Sequence, residues 1–114
     1  MKFKLIMTLV NPDITEEVVA TAKNAGATGD VIIPARGSGV SETKLFGISV
    51  VDKTDVVLFV VEEHSVNKIL DAITKECNLC ESGRGIAFVL SIDKVAGLDS
   101  QIVKIKDRLK GEQL

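Results

Sequence analysis

The chain contains no tryptophan, no tyrosine, one histidine, two cysteines, two prolines and four phenylalanines among 114 residues. Only Phe59 and Phe88 fall in apolar strand-like runs, so the aromatic platform and basic face of an RNA-recognition sheet are missing. Nor is there an excess of one charge: 14 basic side chains stand against 16 acidic ones, a formal charge of -2. That balance excludes a nucleic acid or an anionic membrane held by bulk charge. Long apolar runs are absent too. Leu5 to Val10 ends at Asn11-Pro12-Asp13, far short of a membrane span or a signal-peptide core. Two cysteines make no disulfide framework. What remains is one compact cytoplasmic domain without membrane insertion, large enough to bury a core unaided.

The apolar residues that are present are patterned. Phe3, Leu5, Met7 and Leu9 alternate with Lys4, Ile6, Thr8 and Val10, which predicts a strand with one wholly apolar face and a half-polar second face. Asn11-Pro12-Asp13 signals a turn and helix start, Ile14, Val18, Ala22 and Ala25 recur at helical spacing, and Gly26 stops the helix. Val31-Ile32-Ile33 reads as a short edge strand closed by Pro34. Residues 35–54 lack sustained periodicity and form a long loop or a hairpin extension. Val56 to Val61 is an unbroken apolar strand of the kind covered on both faces. Val66, Ile69, Leu70 and Ile73 follow as a helical stripe capped by Ser65 or His64, and Ile86 to Leu90 is a last apolar strand. Beyond residue 98, Ile102, Ile105 and Leu109 among Lys104, Lys106, Arg108 and Lys110 predict a short basic amphipathic helix at 99–114.

Strand, helix, strand, long loop, strand, helix, strand is two strand-helix-strand units. Interleaved, they make an α+β ferredoxin-like sandwich over residues 1–98: a four-stranded antiparallel sheet, two helices on one face and a loop at about 36–54. The other sheet face then carries a surplus of apolar side chains, with Ile6 and Val10 of the first strand expected on it together with the strands at 55–61 and 86–90. Either the tail helix covers that face or oligomerisation does.

Two loops carry chemistry. Arg36-Gly37-Ser38-Gly39 follows a strand and Gly83-Arg84-Gly85 precedes one, and glycines there let backbone N–H groups approach an anion closely. Neither is a dinucleotide fingerprint or a phosphate loop, and both also read as plain turns. Cys77-Asn78-Leu79-Cys80 has the spacing of half a zinc site or a redox pair. It sits at a helix C-terminus, where the dipole disfavours a thiolate, so small cap residues are the simpler reading. His64, beside Glu62 and Glu63, has no nucleophile near it in sequence and reads as a cap.

The split repeat and its motifs, Gly26-Ala27-Thr28-Gly29, Arg36-Gly37-Ser38-Gly39 and Gly83-Arg84-Gly85, resemble the nitrogen-regulatory P-II signal-transduction proteins over roughly residues 3–98. The resemblance implies a homotrimeric, non-enzymatic regulator whose sheets line the centre. It also implies an adenine nucleotide (ATP, ADP or AMP) held in clefts between subunits by Arg36, Gly37, Ser38, Gly39, Gly83, Arg84 and Gly85. Residues 37–54 would then report the ligand to a transporter, enzyme or regulator. The chain departs from the family where P-II proteins carry phosphate-binding cations: Thr54, Ile86, Gly97 and Asp99 stand there, leaving Arg36, Lys44 and Arg84 near the cleft. Its loop is shorter and has no tyrosine to uridylylate. A trimer of the same architecture that binds a metal ion or small metabolite without a protein target is the alternative.

Overall fold

The computed structural model of the chain describes residues 2–37, 44–45, 48–49, 52–81 and 83–97. Ser38, Gly39, the Lys44 side chain and the expected helix at 99–114 lie outside them. The elements run β1 (Phe3–Val10), α1 (Thr15–Asn24), β2 (Val31–Gly37), β3 (Lys44–Leu45), β4 (Ile48–Ser49), β5 (Asp52–Glu62), α2 (Val66–Glu76) and β6 (Gly85–Ser91). Four strands form one sheet in the order β2-β5-β1-β6, every neighbouring pair antiparallel, and β3 pairs with β4. β5 lies between the parallel strands of the first unit and β1 between those of the second. The fold is therefore the ferredoxin-like α+β sandwich.

Local chemistry places both helices. Asn11 Oδ1 accepts the Asp13 N–H at 2.9 Å and Pro12 opens a single 3-10 turn leading into α1. Glu16 and Glu17 in the first turn and Lys23 in the last oppose the helix dipole. Each helix ends the same way. Ala27 N–H reaches back to Ala22 O past Gly26 (φ +124°), and Leu79 N–H reaches Thr74 O past Asn78 (φ +51°). A left-handed residue is needed at both positions; glycine fills one and asparagine, the residue that tolerates it next best, fills the other.

The core combines Ile6, Val10, Val57, Phe59 and Val61 of the sheet with Val18, Ala22, Ile69, Ile73 and Cys77 of the helical layer. This corrects the expected facing of the sheet. Ile6 and Val10 are fully buried beneath the helices, and so is Val57, while Leu5, Met7 and Leu9 of the more apolar face are left on the open side. Thr8 is the reason the hydropathy pattern misleads. Its hydroxyl donates to the Val57 carbonyl at 3.1 Å, so a polar residue sits in the core with its hydrogen bond made.

The open face consists of three cross-strand rows: Val60-Leu5-Leu90, Leu58-Met7-Phe88 and Val56-Leu9-Ile86. Val60, Ile86, Phe88 and Leu90 are 38 to 52% exposed, so among the described residues β5 and β6 are covered on one face only. β2 also differs from expectation. It does not close at Pro34 but continues to Gly37, because an edge strand needs no N–H on its outer side, and its extension pairs with residues 52–54. The hairpin reading of 35–54 is the one that holds at the base of this segment.

Candidate functional site

Gly85, Val10, Asp55 and Pro34 form one row across the sheet, and Arg84 and Arg36 lie just beyond its two ends. On the β6 side, Gly85 has φ +155°, and a Cβ there would stand 2.6 Å from Leu9 O and 2.8 Å from Val10 Cγ1. Glycine is required by the close approach of two backbones. Gly83 (φ +80°) bends the chain before it, and Asn11 N–H donates to Arg84 O at 3.0 Å, which fixes the segment to the end of β1.

Arg84 is a tie in this structure. Its Nε donates to the Cys77 carbonyl at 2.7 Å, and Nη2 lies 3.6 Å from Glu17 Oε2. A cation thus closes the C-terminus of α2, whose last carbonyls lack helical partners. Cys77 is buried and its thiol donates to Thr21 Oγ1 at 3.6 Å, whereas Cys80 is exposed. Burial pushes the Cys77 thiol above its ordinary range; the Thr21 hydrogen bond acts in the opposite direction. Because the folded chain holds this proton more tightly, Cys77 contributes stability that is present at neutral pH and lost as pH rises above the ordinary thiol value of about 8.5. A thiol reagent at pH 7.5 is expected to label one cysteine per native chain, Cys80, and both after denaturation. Rapid native labelling of both would overturn this placement. Among the described residues no three His, Cys, Asp or Glu side chains cluster to hold a metal ion, and no helix is long and apolar enough to cross a membrane.

On the opposite edge, β2 and β5 continue past the sheet as a two-stranded ribbon, with Arg36 opposite Lys53 and Gly37 opposite Asp52. Arg36 shares its face with Pro34 and Ile32, whose partners are Asp55 and Val57, so it falls on the helix side of the sheet. Pro12, Pro34, Arg36, Lys53 and Asp55 line a groove of about 390 Å³ there, with Ala35 and Thr54 completing its wall. Thr15 Oγ1 donates to Asp55 Oδ2 at 2.6 Å, joining the start of α1 to the groove. Thr54 is 4% exposed, and its hydroxyl has no hydrogen-bond partner among the described residues.

Gly37 and the Gly83-Arg84-Gly85 segment therefore lie at one end of the sheet, on its two outer strands. Three strand spacings, about 14 Å, separate them, and one chain cannot close them around a ligand. Lys53 was not legible as part of a site. Extending the β2–β5 register outward from Ile33 opposite Val56 would have set it beside Arg36.

A family model described as nitrogen regulatory protein P-II matches residues 3–101. No curated protein matches the chain. Among solved structures, a protein from Thermus thermophilus described as PII-like and signaling is similar at 22% identity with a TM-score of 0.65, over 88% of this chain and 95% of that one. At that identity the likeness speaks for the fold.

Proposed function

Since the chain belongs to the nitrogen regulatory P-II family, we propose that it is a homotrimeric, non-enzymatic signalling regulator that binds an adenine nucleotide in the clefts between its subunits. The three apolar rows of the open sheet face carry this reading. A contiguous apolar face of this kind marks an interaction surface, and three copies meeting sheet to sheet would cover it. The same packing sets the Gly37 edge of one subunit beside the Gly83-Arg84-Gly85 edge of the next, which answers the separation within one chain. Backbone N–H groups of these segments, with Ser38 and Gly39 continuing the first, form the two walls. Arg84 shapes its wall through Cys77 and Glu17. Arg36 stands at the Gly37 edge, opposite Lys53.

Ligand binding orders residues 37–54 in one of two states, and a transporter, enzyme or regulator in the cytoplasm reads the difference. A ligand drives such a switch only through unequal affinity for the two states. With Thr54 where the family carries a cation, the triphosphate has no built-in preference over the less charged nucleotides.

Calorimetric titration with ATP, ADP, AMP and divalent metals tests the reading, with Thr54→Val as its sharpest arm. Removing a buried hydroxyl that has no partner among the described residues leaves stability equal or higher, by up to about 1 kcal/mol. If that hydroxyl meets the nucleotide, affinity falls while Tm does not. Absence of any nucleotide binding by the parent chain, with a divalent metal bound instead, would replace the nucleotide reading with the metal one.

A further inference from the structure

We propose that Glu17 of α1 governs how tightly the chain holds an adenine nucleotide, acting through Arg84 as a positioning residue; the inference rests on the nucleotide reading above and names the groups that regulate that same site. Residue 84 is held from three directions. Its carbonyl accepts the Asn11 N–H at 3.0 Å, its Nε donates to the Cys77 carbonyl at 2.7 Å, and its Nη2 lies 3.6 Å from Glu17 Oε2. The end of β1, the C-terminus of α2 and the first turn of α1 thus meet on one residue.

Gly83 and Gly85 flank it at φ +80° and +155°. Glycine gives up more conformational freedom on ordering than any other residue, so a segment with two of them presents its N–H groups in one arrangement only where something else fixes it. Arg84 supplies the one side chain of the three. Its guanidinium is engaged with Cys77 O and Glu17, so it serves the wall of the cleft and not the ligand. Affinity then depends on how well the wall is ordered in advance, because ordering a loose segment on binding is subtracted from what its contacts contribute. The sign of one substitution separates this from plain electrostatics. An acid beside an anion site repels the anion, so on charge alone its removal tightens ADP. If Glu17 holds Arg84, its removal loosens the wall and weakens ADP.

ADP is titrated calorimetrically into the full chain as parent, Glu17→Gln, Arg84→Gln and Arg84→Lys, with Glu16→Gln as a control that removes the same charge from the adjacent exposed position of α1. Each protein is measured well below its own Tm, so that a loss of stability alone leaves Kd unmoved. The expected weakening is about fivefold for Glu17→Gln and about tenfold for Arg84→Gln, within the usual range of coupling between distinct groups. Arg84→Lys does not restore the parent's affinity, because one ammonium lacks the guanidinium's fork for two separate acceptors. Glu16→Gln binds as the parent does. The double variant Glu17→Gln with Arg84→Gln is no weaker than Arg84→Gln alone, as two residues acting in series require. ADP affinity that Glu17→Gln leaves unchanged or strengthens, or that Arg84→Lys fully restores, overturns the inference while the nucleotide reading stands. A parent chain that binds no ADP overturns both.

Discussion

Gly85→Ala is expected to destabilise the chain by about 3 kcal/mol or more and to lower Tm by at least about 10 °C. Two independent costs add. An L-residue held at the positive φ of Gly85 loses roughly 1–2 kcal/mol. The new Cβ also stands 2.6 Å from Leu9 O, and because this neighbour is backbone in the middle strand of a three-strand ladder, it cannot swing aside. Gly29→Ala is the matched control: its φ is not positive and nothing lies within 4 Å of the Cβ position. Thermal or denaturant unfolding of the two variants decides the matter. Equal midpoints would mean that the approach of β6 to β1 at Val10 is looser than described.

If the open face packs into the proposed trimer, Val60→Lys is expected to leave folded monomers. Val60 is 41% exposed in the single chain, opposite Leu5 on the open face, so a lysine there costs the monomer little. In a trimer packed through that face, three ammonium groups would be buried without partners at several kcal/mol each. Sedimentation at micromolar concentration should show one chain per particle with unchanged circular dichroism. Val57→Lys provides the contrast, because Val57 is wholly buried under the helices and its replacement should abolish folding itself. A Val60→Lys protein that sediments like the parent would remove the sheet face from the interface.

Element order, helix stops and the ferredoxin-like topology were legible because they depend on local signals: alternation, Asn11-Pro12, Gly26 and a four-residue apolar stripe in α2. The facing of the sheet was not, since it depends on one tertiary hydrogen bond, from Thr8 to Val57 O, that makes a polar residue acceptable inside. Strand boundaries failed at Pro34 for a related reason. Proline forbids a donor, and whether a donor is needed depends on which strands are neighbours. The glycine segments were legible as anion-binding loops or plain turns, but the engagement of Arg84 with Cys77 and Glu17 and the opposition of Arg36 to Lys53 come from pairings between distant positions. A linear pattern carries no record of those.

The position of β1 inside the sheet has a consequence for how the chain reaches its native state. β1 precedes both of its neighbours in the chain by a wide separation: Phe3 pairs with Glu62, and the Lys4–Ser91 contact spans 87 residues. During translation the strand has no native partner until β5, Asp52–Glu62, has left the ribosome. Closing such distant contacts is entropically slow, which puts the chain on the high-contact-order side of folding kinetics. Until β5 arrives, the alternating apolar strand Phe3–Val10 is an unpaired edge in the nascent chain, and it is there that a chaperone or a neighbouring nascent copy would make its first contact.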